Sequence, residues 1–177
     1  MVVELGSQIR LVSDKVTEYF FGELMSTTDC CKLSIVSPWI SQMSGERYNL
    51  TSILDKVEKD RISTLVITRR PIWPYHQTAI SILERSDFVQ IRYNDNLHAK
   101  IYVCENAKTP SFALLGSANL TSQAIRAHEA GVFVVARDDG EHLFNDLLHW
   151  TDYLWGSRDT IEAKNWNPKR PKRPECI

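Results

Sequence analysis

Two stretches near the middle of the chain decide its fold: His98-Ala99-Lys100-Ile101-Tyr102-Val103-Cys104 and Phe112-Ala113-Leu114-Leu115-Gly116-Ser117-Ala118-Asn119. Each combines an apolar run of strand length with polar residues at one end. We predict strands over 98–104 and 112–115, joined by the polar residues between them. Because side chains at positions i and i+2 of a strand point to the same face, His98 and Lys100 are expected to project together.

Helical and strand patterns alternate on both sides of this pair. Helices are predicted over about 9–24, 50–59, 75–85 and 140–154, and strands over 32–36, 63–68, 88–93 and 131–136. Strands that alternate with helices and then cluster together are typical of an α/β fold with a mixed central β-sheet flanked by helices on both faces. We assign residues 1–160 to this domain and residues 161–177, which are rich in proline and basic side chains, to a C-terminal tail.

The composition is that of an ordinary globular domain without an overall basic character. The chain has 177 residues, 43% of them hydrophobic, and a formal net charge of −1, so any surface that binds nucleic acid must be local. The four cysteines lack the spacing of a metal site, and we interpret them as reduced thiols. Since we find neither a secretory signal nor an apolar run of about 18 residues, we expect a cytoplasmic protein.

The polar residues at the strand ends supply the groups that phosphodiester hydrolysis needs. A neutral imidazole at His98 can attack phosphorus, and the ammonium group of Lys100 can hold the phosphoryl oxygens. Gly116 lets the backbone approach a phosphate closely, and Ser117 and Asn119 add short hydrogen-bonding groups beside it. We expect this chemistry to need no metal ion and no other cofactor.

An acidic residue, Glu129, lies just before the predicted strand 131–136. Its carboxylate can hold one nitrogen of the imidazole and fix the tautomer, as the acidic member of a catalytic triad does. Taken singly, each candidate also has a structural interpretation: a packed histidine, a turn at Gly-Ser-x-Asn, or a solvated carboxylate. Their order and context favour a single phosphate site.

The order of these motifs resembles the signature of the phospholipase D superfamily, which is His-x-Lys, then an acidic residue, then Gly-Ser-x-Asn. The acidic position holds Glu105 here, where the family usually has Asp. Segments 35–40 and 65–71 are also similar to the first strands of that fold, so the resemblance covers about residues 5–155. It implies a phosphodiesterase with His98, Lys100, Ser117, Asn119 and Glu129 as catalytic residues and Glu105 and Gly116 as supporting residues.

The resemblance also implies a mechanism and an assembly. Superfamily members with two copies of the motif build one active site from both, whereas this chain carries one copy. A homodimer is therefore expected, in which the His98 side chains of two chains meet across a two-fold axis. One His98 forms a phosphohistidine, while the other protonates the leaving oxygen and then activates water.

Short, single-motif members of the superfamily resemble nucleases, so we expect a nucleic-acid substrate, DNA rather than RNA, and a role compatible with a larger restriction or defence complex. Candidate contacts to nucleic acid are Trp39, Arg69, Arg70, Lys169, Arg170, Lys172 and Arg173, with Trp73 and Tyr75 as further aromatic residues that can stack on bases. Two alternatives remain open from the sequence: a lipid or small-molecule phosphodiesterase, and a nucleic-acid-binding subunit with a silent site.

Overall fold

The structure is a computed structural model, and it describes residues 2–4 and 8–163, with side chains from residue 8 onward. The strands are β1 Val2–Glu4, β2 Ile9–Val12, β3 Cys30–Val36, β4 Ser63–Thr68, β5 Val89–Tyr93, β6 Ile101–Asn106, β7 Phe112–Gly116, β8 Gly131–Val135 and β9 Ile161–Glu162. The helices are α1 Val16–Ser26, α2 Leu50–Asp60, α3 Pro74–Leu83, α4 Ser122–Arg126 and α5 Glu141–Gly156, with a 3₁₀ turn at Asp138–Gly140.

All the described strands belong to one mixed sheet, in the order β1-β2-β8-β7-β6-β3-β4-β5-β9. Strands β3, β4 and β5 run parallel, whereas β6 is antiparallel to both of its neighbours, β3 and β7. The carboxyl ends of β3, β4 and β7 therefore meet the amino ends of β6 and β8 at one end of the sheet. We call this the motif end, because residues 98–100 and 116–119 lie there, and we call the other the opposite end.

Helices cover both faces of the sheet, as the sequence predicts. One apolar core contains the inward faces of α1, α2, α3 and α4, and it includes Tyr102 and Cys104 of β6. The second core lies on the other face, where α5 packs against Ile101 and Val103 of the same strand. Because β6 is buried on both faces, its sequence reads as a continuous apolar run. None of the described helices combines the length and apolar character that crossing a lipid bilayer requires.

Most predicted elements are confirmed to within a few residues, but the predicted first helix is wrong in its first half. Residues Ile9–Val12 form β2, which pairs antiparallel with β8, and the helix begins only at Val16. The apolar spacing of this segment also fits a half-buried strand, and its partner in β8 lies more than a hundred residues away in sequence. The sequence analysis also missed the short elements β1, α4 and β9.

Candidate active site

His98 and Lys100 form the first part of the site, and they come just before β6 rather than inside the predicted strand. Their side chains nevertheless project together, because Lys100 Nζ lies 3.4 Å from His98 Nδ1. The backbone carbonyl of Lys100 accepts a hydrogen bond from the N–H of Gly116 at 3.1 Å, which extends the pairing of β6 with β7. His98 is exposed, whereas Lys100 is only 9% exposed. A ligand can therefore reach the imidazole, while the ammonium group beside it is held in place.

The charge on Lys100 sits in an unfavourable environment until an anion arrives. Burial lowers the pKa of Lys100, the nearby guanidinium of Arg69 lowers it further, and the carboxylate of Glu129 opposes both effects. A phosphate placed at this site would add negative charge where the protein supplies little. A bound phosphoryl group would favour the charged form of Lys100, as the carboxylate of Glu129 already does.

Ser117 and Glu129 form the second part, on the facing ends of β7 and β8. The Ser117 hydroxyl donates to Oε2 of Glu129, and the N–H of Ala130 donates to Ser117 Oγ at 3.1 Å. The N–H of Ser117 in turn donates to the carbonyl of Ala130 at 2.9 Å. From the sequence, Glu129 can hold a nitrogen of the imidazole of His98; among the described contacts it accepts from Ser117 instead. Its carboxylate acts on the rest of the site through its charge.

Gly116 is required by the protein's own backbone. A Cβ at this position would lie 2.7 Å from the carbonyl oxygen of Ala130 and 2.9 Å from Cα of Gly131. These contacts are too short for any real side chain, so the ends of β7 and β8 can come together only at a glycine. The sequence analysis explains the glycine at position 116 by close approach of a phosphate. In the structure, the close approach of β8 already requires a glycine there.

Asn119 carries a polar atom that is buried without a partner. Its Oδ1 accepts no hydrogen bond, although the backbone carbonyl of the same residue accepts from the N–H of Thr121 at 2.9 Å. Buried polar atoms without partners are rare in native proteins and often mark the place of a ligand or water. Because the two ends of an amide are nearly interchangeable in shape, the side chain can also present its N–H₂ group to a phosphoryl oxygen.

Two buried residues that sequence reasoning missed hold the segment from Gly116 to Leu120. Tyr102 of β6 donates its hydroxyl to the carbonyl of Ala118 at 2.9 Å. Ser37, at the end of β3, accepts from the N–H of Leu120 at 3.0 Å and donates to the carbonyl of Trp39 at 2.8 Å. The sequence gives no signal for these roles, because each joins residues far apart in the chain.

The predicted contact residues Trp39, Arg69 and Arg70 also lie at the motif end. Arg69 Nε donates to the carbonyl of Leu97 at 2.7 Å, and its guanidinium lies over the ring of Trp39, 5.5 Å from the ring centre. Arg70 pairs with Asp95 at 2.9 Å. Arg69 is thus tied to the residue that precedes His98, whereas Arg70 is already partly neutralised.

Glu105, the predicted supporting residue, lies away from the site. It is near the far end of β6, about 13 Å along the strand from Ile101 at about 3.3 Å per residue, where its carboxylate pairs with Lys32 at 3.0 Å. It therefore joins β6 to β3 at the opposite end, and the expectation that it supports the site directly is wrong. The four basic tail candidates, Lys169, Arg170, Lys172 and Arg173, lie outside the described residues.

The assembled site offers one exposed nucleophile and several groups that can hold an anion. His98 can attack an electrophilic centre, Lys100 supplies a positive charge, and Ser117 and Asn119 supply short polar groups. Within residues 8–163, no three His, Cys, Asp or Glu side chains converge in the way that would hold a metal ion. The arrangement is suited to phosphoryl transfer by a histidine.

Comparisons with known proteins match the part of the chain that carries these residues. Residues 75–152 match the family model of the N-terminal PLD domain of the NgoFVII restriction endonuclease. The matched segment contains all five residues predicted to be catalytic: His98, Lys100, Ser117, Asn119 and Glu129. No curated protein sequence matches the chain.

Solved structures share the fold at low sequence identity. NucT from Helicobacter pylori has a TM-score of 0.63 and 13% identity, over 88% of this chain and 98% of that one. Nuc, a phospholipase D family member from Salmonella typhimurium, has a TM-score of 0.59 and 14% identity over the same shares. Phosphatidylserine synthase from Haemophilus influenzae has a TM-score of 0.58 and 16% identity, over 92% of this chain and 42% of that one.

These TM-scores show that the fold is shared. The family model matches the segment that carries the candidate site. The fold, the pairing of His98 with Lys100, and the position of Gly116–Asn119 all agree with one family. Residues 75–152, which carry the candidate site, therefore match a phospholipase D domain, and the chain shares its fold with the phospholipase D family member Nuc.

Proposed function

We propose that this protein is a metal-independent endonuclease that hydrolyses phosphodiester bonds in nucleic acid, DNA rather than RNA, through a phosphohistidine on His98. The observation that carries the proposal is the exposed imidazole of His98, 3.4 Å from the buried ammonium group of Lys100. Ser117 and the partnerless Oδ1 of Asn119 follow on the adjoining strand end. The proposal places the reaction in the cytoplasm, where thiols such as those of Cys30 and Cys104 stay reduced.

The proposed reaction has two steps. In the first, a ring nitrogen of His98 forms a bond to phosphorus, and the bond between phosphorus and the leaving deoxyribose oxygen breaks as that oxygen takes up a proton. In the second, water gives a proton to a base and its oxygen replaces the imidazole on phosphorus, which frees His98. Lys100 and Asn119 hold the phosphoryl oxygens while negative charge develops on them.

A second imidazole is needed to deliver and remove these protons. The chain carries one copy of the His-x-Lys and Gly-Ser-x-Asn set, so the proposal takes the second imidazole from His98 of a second copy in a homodimer. General acid and base catalysis by such a group contributes about 10²–10⁴-fold to a rate.

The choice of nucleic acid rests on the family match and on the residues around the site. The matched model describes a restriction endonuclease domain, which is compatible with a role in a restriction or defence complex. Arg69 and Trp39 lie beside the segment that carries His98 and offer a cation and an aromatic ring. The likeness to a phosphatidylserine synthase concerns the fold alone, since one fold serves many substrates.

The proposal is tested by incubating the protein with plasmid DNA, labelled single-stranded DNA and labelled RNA in excess EDTA. Wild type should cleave DNA, and His98→Ala should lower the rate by at least about 10⁴-fold. His149→Ala, which changes an exposed histidine of α5, is the matched control and should cleave like wild type. Equal inactivity of wild type and His98→Ala on every nucleic acid would overturn the proposal, and activity on phosphatidyl substrates would then favour a lipid enzyme.

The homodimer is tested separately, by sedimentation and by the rate at different protein concentrations. A dimer with a shared site should lose activity per chain when dilution separates the two copies. A monomer that keeps its full rate per chain would remove the second His98 from the mechanism.

A further inference from the structure

Three large apolar side chains lie exposed together beside the candidate site. Ile72 is 63% exposed, Trp73 52% and Tyr75 47%. They fall within four consecutive positions, between the end of β4 and the first turn of α3. Isolated exposed apolar residues are common, whereas three neighbouring ones beside a candidate site suit an interaction surface. We call these three residues the aromatic platform.

The backbone under the aromatic platform is held in place. The N–H of Ile72 donates to the carbonyl of Arg70 at 2.9 Å, and the N–H of His76 donates to the carbonyl of Trp73 at 3.0 Å. Arg70 is in turn fixed by its ion pair with Asp95. The rings are therefore presented by an ordered turn, so a partner that binds them does not have to order the loop first.

Direct contacts connect the aromatic platform to the residues around His98. The ring of Tyr75 is nearly parallel to that of His76, at 6.4 Å between centres, and His76 makes an edge contact with Trp39 at 5.6 Å. Trp39 lies under the guanidinium of Arg69, which donates to the carbonyl of Leu97, next to His98. Strand β4 is two positions from β6 in the sheet, which is a separation of about 10 Å.

The charges along this path suit a phosphate backbone. Arg69 is close enough to Lys100 to lower the pKa of that residue, so positive charge extends from the site toward the aromatic platform. Phosphates held near Lys100 and Arg69 would bring a bound strand to the end of the sheet where Trp73 and Tyr75 are exposed. A polynucleotide offers both phosphates and bases at a regular spacing, whereas a second protein chain would have to supply such groups separately.

We infer that the aromatic platform binds the unpaired bases of single-stranded nucleic acid, with Trp73 and Tyr75 as the stacking surfaces. This inference rests on the proposed function and extends it to the strand type of the substrate. In a duplex the faces of the bases are covered by their neighbours, so only a single strand can place its bases on exposed rings. The protein therefore selects single strands by stacking rather than by reading a sequence.

The test measures binding in a form of the protein that does not cleave. His98→Ala is titrated in EDTA, by fluorescence anisotropy, into a labelled single-stranded DNA, the RNA of the same sequence, the duplex, and a single strand of the same length made of abasic sites. The same titrations are done with His98→Ala carrying Trp73→Ala or Tyr75→Ala. Trp150→Ala in the same background is the matched control, because it removes a tryptophan of α5 that is 39% exposed.

Trp73→Ala should raise the Kd for single-stranded DNA by about 5- to 150-fold, the range expected for the loss of one base stack. The Kd for the duplex and for the abasic strand should change by no more than about twofold, because these ligands bind through their phosphates. The titration with RNA shows whether the aromatic platform distinguishes ribose from deoxyribose. A loss of affinity for either single strand supports the inference. Trp150→Ala should leave all four Kd values unchanged.

Three results would overturn the inference: no change with single strands, an equal loss with the duplex, or an equal loss with the abasic strand. Sedimentation in the absence of nucleic acid adds another, since dissociation of a dimer by Trp73→Ala would make the platform an interface between copies. The proposed function fails separately. If wild type does not cleave DNA but Trp73→Ala still weakens single-strand binding, the chain binds nucleic acid without hydrolysing it.

Discussion

The two ends of the sheet carry polar residues of similar kinds but use them differently. At the opposite end, the carboxylate of Asp29 accepts from the backbone N–H groups of Lys108 and Thr109, both at 2.8 Å, and from the Thr109 hydroxyl at 2.7 Å. These hydrogen bonds hold the pKa of Asp29 down, at about 2. Lys32 in turn lies between two carboxylates, 3.0 Å from Glu105 and 3.1 Å from that of the α5 residue Asp152.

At the motif end, the side chains of His98, Lys100 and Asn119 are not paired in this way. His98 is exposed, Lys100 is buried beside another cation, and Oδ1 of Asn119 has no hydrogen-bond partner. Asp29 and Lys32 at the opposite end are bonded to groups that stabilise the fold. At the motif end Ser117, Arg69 and Arg70 are bonded as well, but the imidazole of His98 is exposed and Asn119 Oδ1 has no partner. The candidate site is thus distinguished by the combination of an exposed imidazole, a buried cation beside it and a partnerless amide oxygen on the adjoining segment.

The strongest test of this comparison is to replace one lysine at each end of the sheet. Lys100→Met should lower the rate of DNA cleavage by about 10²–10³-fold, because it removes the charge that faces the phosphoryl oxygens. Its free energy of unfolding should equal or exceed that of wild type, since a buried cation is replaced by an apolar chain. Initial rates in EDTA and urea denaturation measure the two quantities.

Lys32→Met should lower stability and leave the cleavage rate unchanged. It breaks two ion pairs and should lower the free energy of unfolding by about 1 kcal/mol or less, because the Lys32 side chain is 28% exposed and partly solvated. Its cleavage rate should stay at the wild-type value. If Lys100→Met kept a tenth of the wild-type rate, or if both variants lost activity equally, the distinction between the two ends would fail.

A second prediction concerns the buried histidine at the motif end. His76 is fully buried, its Nε2 lies 3.1 Å from Thr68 Oγ1, and its Nδ1 has no partner. Burial lowers the pKa of His76 from 6.5 to about 4. Between these pH values the unfolded chain binds a proton that the native protein does not, so stability falls as the pH falls through this window. The free energy of unfolding should fall by about 3 kcal/mol between pH 6.5 and pH 4, and it should not depend on His76 well above pH 6.5.

Urea denaturation at pH 7 and at several lower pH values checks this prediction. His76→Gln should show a smaller loss of stability between pH 7 and pH 4.5 than wild type does. His142→Gln, which changes an exposed histidine of α5, should follow the wild-type curve. Identical pH dependence in all three proteins would show that His76 titrates normally.

The glycine at the end of β7 gives the third prediction. Gly116→Ala should lower the free energy of unfolding by about 1–3 kcal/mol, because its methyl group would overlap the backbone of β8. Cleavage should fall as well, since Ser117 and Glu129 are carried by the two strands that are forced apart. Gly156→Ala is the control, because a Cβ there would meet no atom within 4 Å. Wild-type stability in Gly116→Ala would contradict the assigned close approach.

The smallest expected loss of cleavage comes from the hydroxyl of Tyr102. Tyr102→Phe keeps the ring in the core but leaves the carbonyl of Ala118 without its donor, which should cost about 1 kcal/mol of stability. We expect kcat to fall several-fold with little change in KM, because Ser117 and Asn119 flank the released carbonyl. Tyr153→Phe, at a residue that is 73% exposed, should change neither quantity. A change in KM alone would assign Tyr102 to substrate binding instead.

The parts of the site that lie close together in sequence could be predicted, and the parts that depend on distant strands could not. The pairing of His98 with Lys100 depends on local backbone direction, and it is correct even though both residues precede the strand. The partner of Glu129 depends on how β7 meets β8, and so does the reason for Gly116. The same limit explains the first helix, because Ile9–Val12 is a strand only when β8 is beside it.

The close approach of β7 and β8 also brings Ser117 and Glu129 together, so the candidate site is complete only while this end of the ladder is paired. Gly116 and Gly131 are the last paired residues of this ladder, and Ser117 and Glu129 lie just beyond them. Fraying of that last rung would separate the hydroxyl from the carboxylate without unfolding the rest of the sheet. The protection of the Ser117 amide proton, which is bonded to Ala130, should therefore report the free energy of opening this end of the ladder, and with it the fraction of molecules in which the candidate site is intact.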